Sequence, residues 1–251
     1  MSSHLLSMDY KVHVYETGFD GLLQPFALFN YLQDIAAIHA ERLGFGRSDL
    51  MKMNRFWVLS RMEVRIVKWP SWEDLITVST WPRGTDKLFA VRDFRVNYPD
   101  GSEIAAASSS WLIIDSSAKK IKRPHEDLTH FNNAPDVPAA IGKYAGKIEI
   151  PSVEQTVSTV STVKTGDIDM NMHTNNTSYI RWIFNTYSPD FLAAMVPAGI
   201  EANFLSESRY GDNFVISSGA GENNIHYHTV KDETGNKEFC RLRIKWENRN
   251  H

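Results

Sequence analysis

The sequence holds a single cysteine, Cys240. One thiol can neither close an intrachain disulfide nor supply a cysteine metal cluster. A chain that makes no use of disulfides agrees with a reducing, cytoplasmic setting. Long apolar runs are missing as well. No stretch approaches the roughly 20 residues of a membrane-spanning helix. The opening MSSHLLSMDYKVHVYE lacks the charged start and apolar core of a secretory signal. Charge of one sign is scarce: 27 Lys and Arg stand against 30 Asp and Glu, a net −3. That balance gives no footprint for nucleic acid, so neither nucleic acid nor a membrane is an expected partner. No metal or other cofactor is implied: the nine histidines show no convincing ligand spacing. His226 and His228 merely alternate along a predicted strand.

What is present suits a packed interior. The 251 residues are 42% hydrophobic and 12% aromatic, enough for one large domain or two modest ones. From Phe26 to Gly44, Leu28, Leu32, Ile35, His39 and Leu43 recur at helical spacing, with Gly44 where a helix would end. Arg61–Val67 alternates apolar and charged residues, the mark of a half-buried strand. Leu75–Trp81, Leu88–Tyr98 and Ile104–Ile114 also read as strands, separated by turns at Pro70, Pro82 with Gly84, and Pro99-Asp100-Gly101.

Residues 117–147, with Pro124, Pro135 and Pro138, break the pattern and read as a linker. A second copy of the plan follows. Val153–Val163 predicts a strand; Asn176 is placed to cap a helix whose stripe is Tyr179, Ile180, Ile183, Phe184 and Tyr187; Pro189 discourages its continuation. Strands are expected near Gly199–Ser206, Asn213–Ser218, Asn224–Lys231 and Lys237–Glu247. Helix followed by antiparallel strands, twice, predicts an α+β protein with domains at 1–116 and 148–251.

The second copy carries the polar cluster. Asp169, Asn171, His173 and Asn175 fall at every second position before the helix, and an extended approach would put all four on one face. Capping explains one such residue, not four. The run Asp169, His173, Asn175, Asn176, Tyr179, Trp182 is similar to the hotdog thioesterase signature. Asp169, Asn171 and His173 fit the narrower D-x-N-x-H of plant and bacterial acyl-acyl-carrier-protein thioesterases. Asn54–Met62, Pro70–Asp74 and Ala107–Trp111 resemble that family's first half, so the resemblance runs from about Tyr10 to Trp246.

The resemblance implies two tandem hotdog domains, each a long helix wrapped by an antiparallel sheet. It implies hydrolysis of fatty acyl-acyl-carrier-protein thioesters, with Asp169, Asn171, His173 and Glu207 catalytic and Asn175, Asn176 and Trp57 contacting substrate. Ser208 stands where plant members have cysteine, which leaves a carboxylate mechanism but no cysteine nucleophile there. Glu207 and His173 would activate water, in roles that sequence leaves interchangeable; amides at the start of the second helix could hold the oxyanion. The first copy has no histidine before its helix. It is therefore expected to hold the acyl chain, along Leu28–Ile35 and Phe56–Leu59. The partner is an acyl carrier protein, for which Lys119, Lys120, Lys122 and Arg123 offer a basic cluster. The alternative is an acyl-CoA hydrolase using Asp169 as base or nucleophile. A homodimer is compatible with either.

Overall fold

The structure, a computed structural model, describes residues 4–124, 137–152, 154 and 156–249, with backbone alone at Val157 and Ser158. The chain divides into two compact units, Met1–Ala145 and Gly146–His251.

In the first unit the elements are β1 (Leu6–Lys11), α1 (Pro25–Arg42), α2 (Arg47–Lys52), β2 (Arg55–Ile66), β3 (Leu75–Asp86), β4 (Phe89–Asn97), β5 (Glu103–Asp115) and β6 (Lys120–Lys122). Its antiparallel sheet runs β1-β3-β4-β5-β2, with β6 paired to the end of β5. α1 opens on Pro25, whose missing N–H costs nothing in a first turn. It ends before Gly44, which takes φ 80°, a conformation that favours glycine. Leu28, Leu32, Ile35 and His39 are buried along α1, which packs on β3 and β1. The expected stripe is therefore the packed face.

The second unit contains β7 (Thr156–Thr162), α3 (Asn176–Phe184), α4 (Pro189–Ala194), β8 (Met195–Phe204), β9 (Asn213–Ala220), β10 (Ile225–Asp232) and β11 (Glu238–Asn248). Its sheet runs β7-β9-β10-β11-β8, the order of the first unit repeated position for position. Smaller details repeat too. A 3-10 turn leads toward each first helix, at Val14–Glu16 and at Thr165–Asp167. A bridge follows each, Thr17 to Leu23 and Ile168 to Thr174. Gly21 and Met172 lie at matching places with φ 75° and 62°. Glu16 accepts from Tyr31 Oη, as Asp167 accepts from Trp182 Nε1. The α+β hotdog arrangement thus occurs twice, though the second helix spans only 9 residues rather than the long helix expected.

Several expectations shift. β1 has no counterpart in the pattern reading. The expected linker opens on a hairpin strand, β6, and residues further along are tied down. Ala140 N donates to Asp93 (2.9 Å), and Arg83 donates to the Ile141 carbonyl (3.0 Å). Asn203 accepts from Ile148 N (2.8 Å) in the second unit. Residues 125–136, including Pro135, lie outside the described residues, as does Val153. Tyr187 falls beyond α3. Pro189 does not merely prevent continuation: it starts α4, with Ser188 capping Phe191 N. Among the described residues no helix is long and apolar enough to cross a membrane.

Candidate active site

The segment before α3 is not extended. It turns back on itself, with Asp169 N donating to the His173 carbonyl (2.8 Å) and Met172 N to the Asp169 carbonyl (3.0 Å). The expected single face of an extended strand is therefore replaced by a tight loop. Met172, at φ 62°, makes the reversal. Asp169 holds the loop from within. Its Oδ1 accepts from Asn171 N at 2.8 Å and from His173 N at 3.4 Å. Asn171 is at the exposed tip, whereas Asp169 and His173 are half-buried.

The loop is also anchored from below. Asp167 is buried and accepts from Lys164 N (2.8 Å), Arg181 Nη2 (2.5 Å) and Trp182 Nε1 (3.1 Å). The cap is Asn175, not Asn176. Asn175 has the extended φ −61°, ψ 135° of a cap, and its Oδ1 accepts from Thr177 N at 3.0 Å. Asn176 is already helical, one residue too late to cap. Ser178 N is taken by the Asn175 carbonyl at 2.9 Å. Among the amides at the start of α3, those of Thr177 and Ser178 thus serve the cap.

The second chain segment is the β8–β9 connection. Thr174 N donates to the Ser208 carbonyl (2.9 Å), drawing this connection against the loop. Glu207 then meets His173, with Oε2 3.1 Å from Nε2. The His173 side chain is 23% exposed and that of Glu207 is 43% exposed, so the carboxylate faces solvent from a partly sheltered imidazole. Lys237 Nζ donates to the Glu207 carbonyl at 2.6 Å. Arg209, absent from the sequence reading, brings Nη2 to 3.4 Å from the same His173 Nε2. That nitrogen lies between an acceptor and a donor, so the proton it carries decides which contact is made. Ser208, between them in sequence, points inward: its Oγ is 2.7 Å from both Thr174 Oγ1 and Tyr179 Oη.

Thus His173 and Glu207 meet side chain to side chain, Asp169 is tied to their loop by the backbone N–H groups of Asn171 and His173, and Asn171 joins through its backbone alone. Asn175 and Asn176 sit at the helix start, the first committed to its cap. Trp57 is in the first unit, where its Nε1 donates to the Phe45 carbonyl (2.9 Å) and its ring packs with Phe45 and Trp111 around Ala90 and Ile113. The basic cluster is in the exposed β5–β6 hairpin, with Lys122 3.7 Å from Asp115.

Two tandem α+β repeats, with the polar site in the second alone, find their match among known proteins. Residues 4–132 match the acyl-ACP thioesterase N-terminal domain, and residues 151–248 match the acyl-ACP thioesterase C-terminal domain. The chain belongs to the acyl-ACP thioesterase family. An acyl-ACP thioesterase structure from Bacteroides thetaiotaomicron shares 27% identity and a TM-score of 0.87, covering 97% of this chain and 98% of that one. The 12:0-ACP thioesterase of Umbellularia californica has the same fold, with TM-score 0.84 at 20% identity and 99% coverage of both chains. The chloroplastic palmitoyl-acyl carrier protein thioesterase of Cuphea hookeriana is 25% identical over 96% of this chain. The match spans 62% of that relative's length. The family's two-domain division coincides with the two units, and its C-terminal domain holds the His173 constellation.

Proposed function

We propose that the protein hydrolyses fatty acyl-acyl-carrier-protein thioesters to free fatty acid and holo carrier. The observation that carries this reading is the 3.1 Å contact between His173 Nε2 and Glu207 Oε2, at the mouth of a loop held rigid by Asp169. A carboxylate paired to an imidazole, with its other oxygen available, suits the removal of a proton from water. Glu207 takes that proton as the water oxygen adds to the thioester carbonyl. When the tetrahedral intermediate collapses, the C–S bond breaks and the pair returns a proton to the sulfur. Asn171, at the loop tip, positions the water or the thioester. Asp169 orients the loop; its Oδ1 already accepts two backbone N–H groups, which favours this role over that of base in the acyl-CoA alternative.

The acyl chain belongs to the first unit. Ala90 is a small residue among Phe45, Trp57 and Trp111, which are only partly buried. The second unit fills the end of its own core with Tyr187, Phe191, His226 and Trp246, whose rings stack or meet edge-on.

The test is a panel of acyl-carrier thioesters of graded length, with the matching acyl-CoA esters beside it. Glu207→Ala and His173→Ala should each lower kcat by about 10²–10⁴-fold, with Asp169→Asn intermediate. Ala90→Phe should shift the length profile toward shorter chains and leave the chemistry working. Near-normal turnover by Glu207→Ala, with Asp169→Asn inactive and acyl-CoA preferred, would establish the acyl-CoA alternative instead.

A further inference from the structure

Hydrolysis of a thioester passes through a tetrahedral intermediate whose oxygen carries a full negative charge, and a donor must be aimed at it. The amides at the start of α3 are the obvious candidates in the sequence. Two of them are occupied, Thr177 N by Asn175 Oδ1 and Ser178 N by the Asn175 carbonyl. The cap leaves the Asn176 amide unengaged, and a charged donor beside His173 would complement it at the reaction centre.

Arg209 meets that need. Its Nη2 lies 3.4 Å from the His173 nitrogen that contacts Glu207, so a guanidinium stands beside the pair that activates water. The residue is exposed, and no carboxylate forms an ion pair with it among the described residues. Its place is set by the backbone rather than the side chain. Arg209 N donates to Asp212 Oδ2 (2.9 Å), Asp212 N returns a bond to the Arg209 carbonyl (3.0 Å), and Gly211 turns the chain at φ 87°. The matching turn in the first unit has Ser71 N donating to Asp74 Oδ2 (2.8 Å), with Glu73 at φ 73°. There a serine occupies the arginine's place, next to a loop without histidine. The turn itself does not require arginine. The charge is present only where the catalytic constellation is.

We propose that Arg209 is a catalytic residue that donates to the thioester carbonyl oxygen as it becomes an oxyanion. This rests on the thioesterase reading above. In the resting site its Nη2 lies 3.4 Å from His173 Nε2. As water loses a proton to the Glu207–His173 pair and the water oxygen bonds to the carbonyl carbon, the guanidinium turns to the oxygen that gains the electron pair. When that pair re-forms the carbonyl and the C–S bond breaks, the sulfur leaves with its electrons, takes the proton back, and Arg209 is released. Guanidinium has five N–H donors and stays charged, so it needs no proton transfer of its own.

The charged groups around His173 bear on the test. Asp169 holds its loop, Glu207 and Arg209 reach it from the β8–β9 connection, and Lys237, just before β11, donates to the Glu207 carbonyl. Removing Arg209 deletes one of the two side-chain contacts to Nε2 and a positive charge next to it. The acid limb of kcat against pH should therefore move to higher pH in Arg209→Gln and stay in place in Arg209→Lys.

The experiment measures kcat, KM and thermal midpoint for the wild type, Arg209→Lys, Arg209→Gln and Arg209→Ala on one acyl-carrier thioester. Expected is a drop in kcat of about 10²–10³-fold for Ala and Gln, a smaller loss for Lys, KM within about threefold, and an unchanged midpoint. Added guanidinium ion should restore part of the activity of Arg209→Ala and none to the wild type. A kcat for Arg209→Ala within about threefold of wild type overturns the proposal. So does a loss confined to KM, which would make Arg209 a contact for the carrier. An inactive wild type would instead overturn the thioesterase reading itself, so the two failures are distinct.

Discussion

Ser208 shows how misleading a position can be when read by type alone. The resemblance to plant thioesterases sets it at a cysteine position, which invites a nucleophile. In the structure it is 1% exposed, and its hydroxyl joins Thr174 and Tyr179 in one buried network. Burial pushes the Tyr179 phenol well up, so that it remains a proton donor in the network. Ser208→Ala leaves two hydroxyls short of a partner and should cost about 1–3 kcal/mol of stability. Turnover should fall less than tenfold. Urea unfolding beside kcat decides the matter, since a serine nucleophile would lose nearly all activity and little stability. Cys240 is no substitute: burial pushes its thiol up, away from the thiolate that reactivity requires. His173 and Glu207 were legible from sequence because the family motif names them. Arg209 was not. An arginine in a loop is ordinary, and the pairing of Thr174 with Ser208, distant in sequence, brings it to the imidazole.

At the level of elements, local pattern served the strands and α1 well and the connections poorly. Met62, Val64 and Ile66 are buried as the alternation of Arg61–Val67 requires, although Glu63 on the other face is buried too and Val67 is exposed, and the stripe of α1 is its packed face. Alternate polar residues from Asp169 to Asn175 fit an extended strand. Asp169 instead accepts from amides two and four residues on, and such side-chain-to-backbone bonds compete with extended structure. The β5–β6 hairpin was hidden in the same way. Its lysines look like linker, yet Lys120–Lys122 pairs with Ile113–Asp115. That pairing presents Lys119 and Lys120 on an exposed turn, with Ile121 45% exposed. We propose this hairpin as a contact for the acidic carrier. Lys119→Gln with Lys120→Gln should slow association and flatten its dependence on salt, without changing kcat at saturation. Identical association rates at low salt would return the hairpin to a structural role.

Across the whole molecule, duplication with divergence is the governing feature. The sheet order repeats, and so do the turn, bridge and acceptor before each helix, while the His173–Glu207 pairing occurs once among the described residues. The second unit pairs that site with a filled core end, and this has a consequence for stability. His228 is 1% exposed, held by Ser218 at Nδ1 (2.8 Å) and Tyr187 at Nε2 (2.7 Å). Burial, then the neighbouring His226, pulls it down to about 3. The unfolded chain takes up that proton near pH 6.5. The folded chain does not, so the contribution is intact above about pH 6.5 and falls as pH drops toward 3, by about 1.4 kcal/mol per pH unit. His226, also lowered by burial, adds in the same direction. Urea midpoints at pH 7 and pH 5 should therefore diverge in the wild type and less so in His228→Gln. Equal divergence in both proteins would locate the acid sensitivity elsewhere.

By itself the sequence determined the fold class, the presence of two copies, the faces that are buried and the residues of the motif. These follow from periodicity and from local chemistry, which neighbouring positions carry. The tertiary structure alone decided which polar groups are free to act. It committed Asn175 to a cap, turned Ser208 inward, folded the Asp169 loop back on itself and brought Glu207 and Arg209 to one nitrogen of His173. The reason is geometric. Which hydrogen bonds a group makes depends on partners distant in sequence, and no pattern along the chain records them.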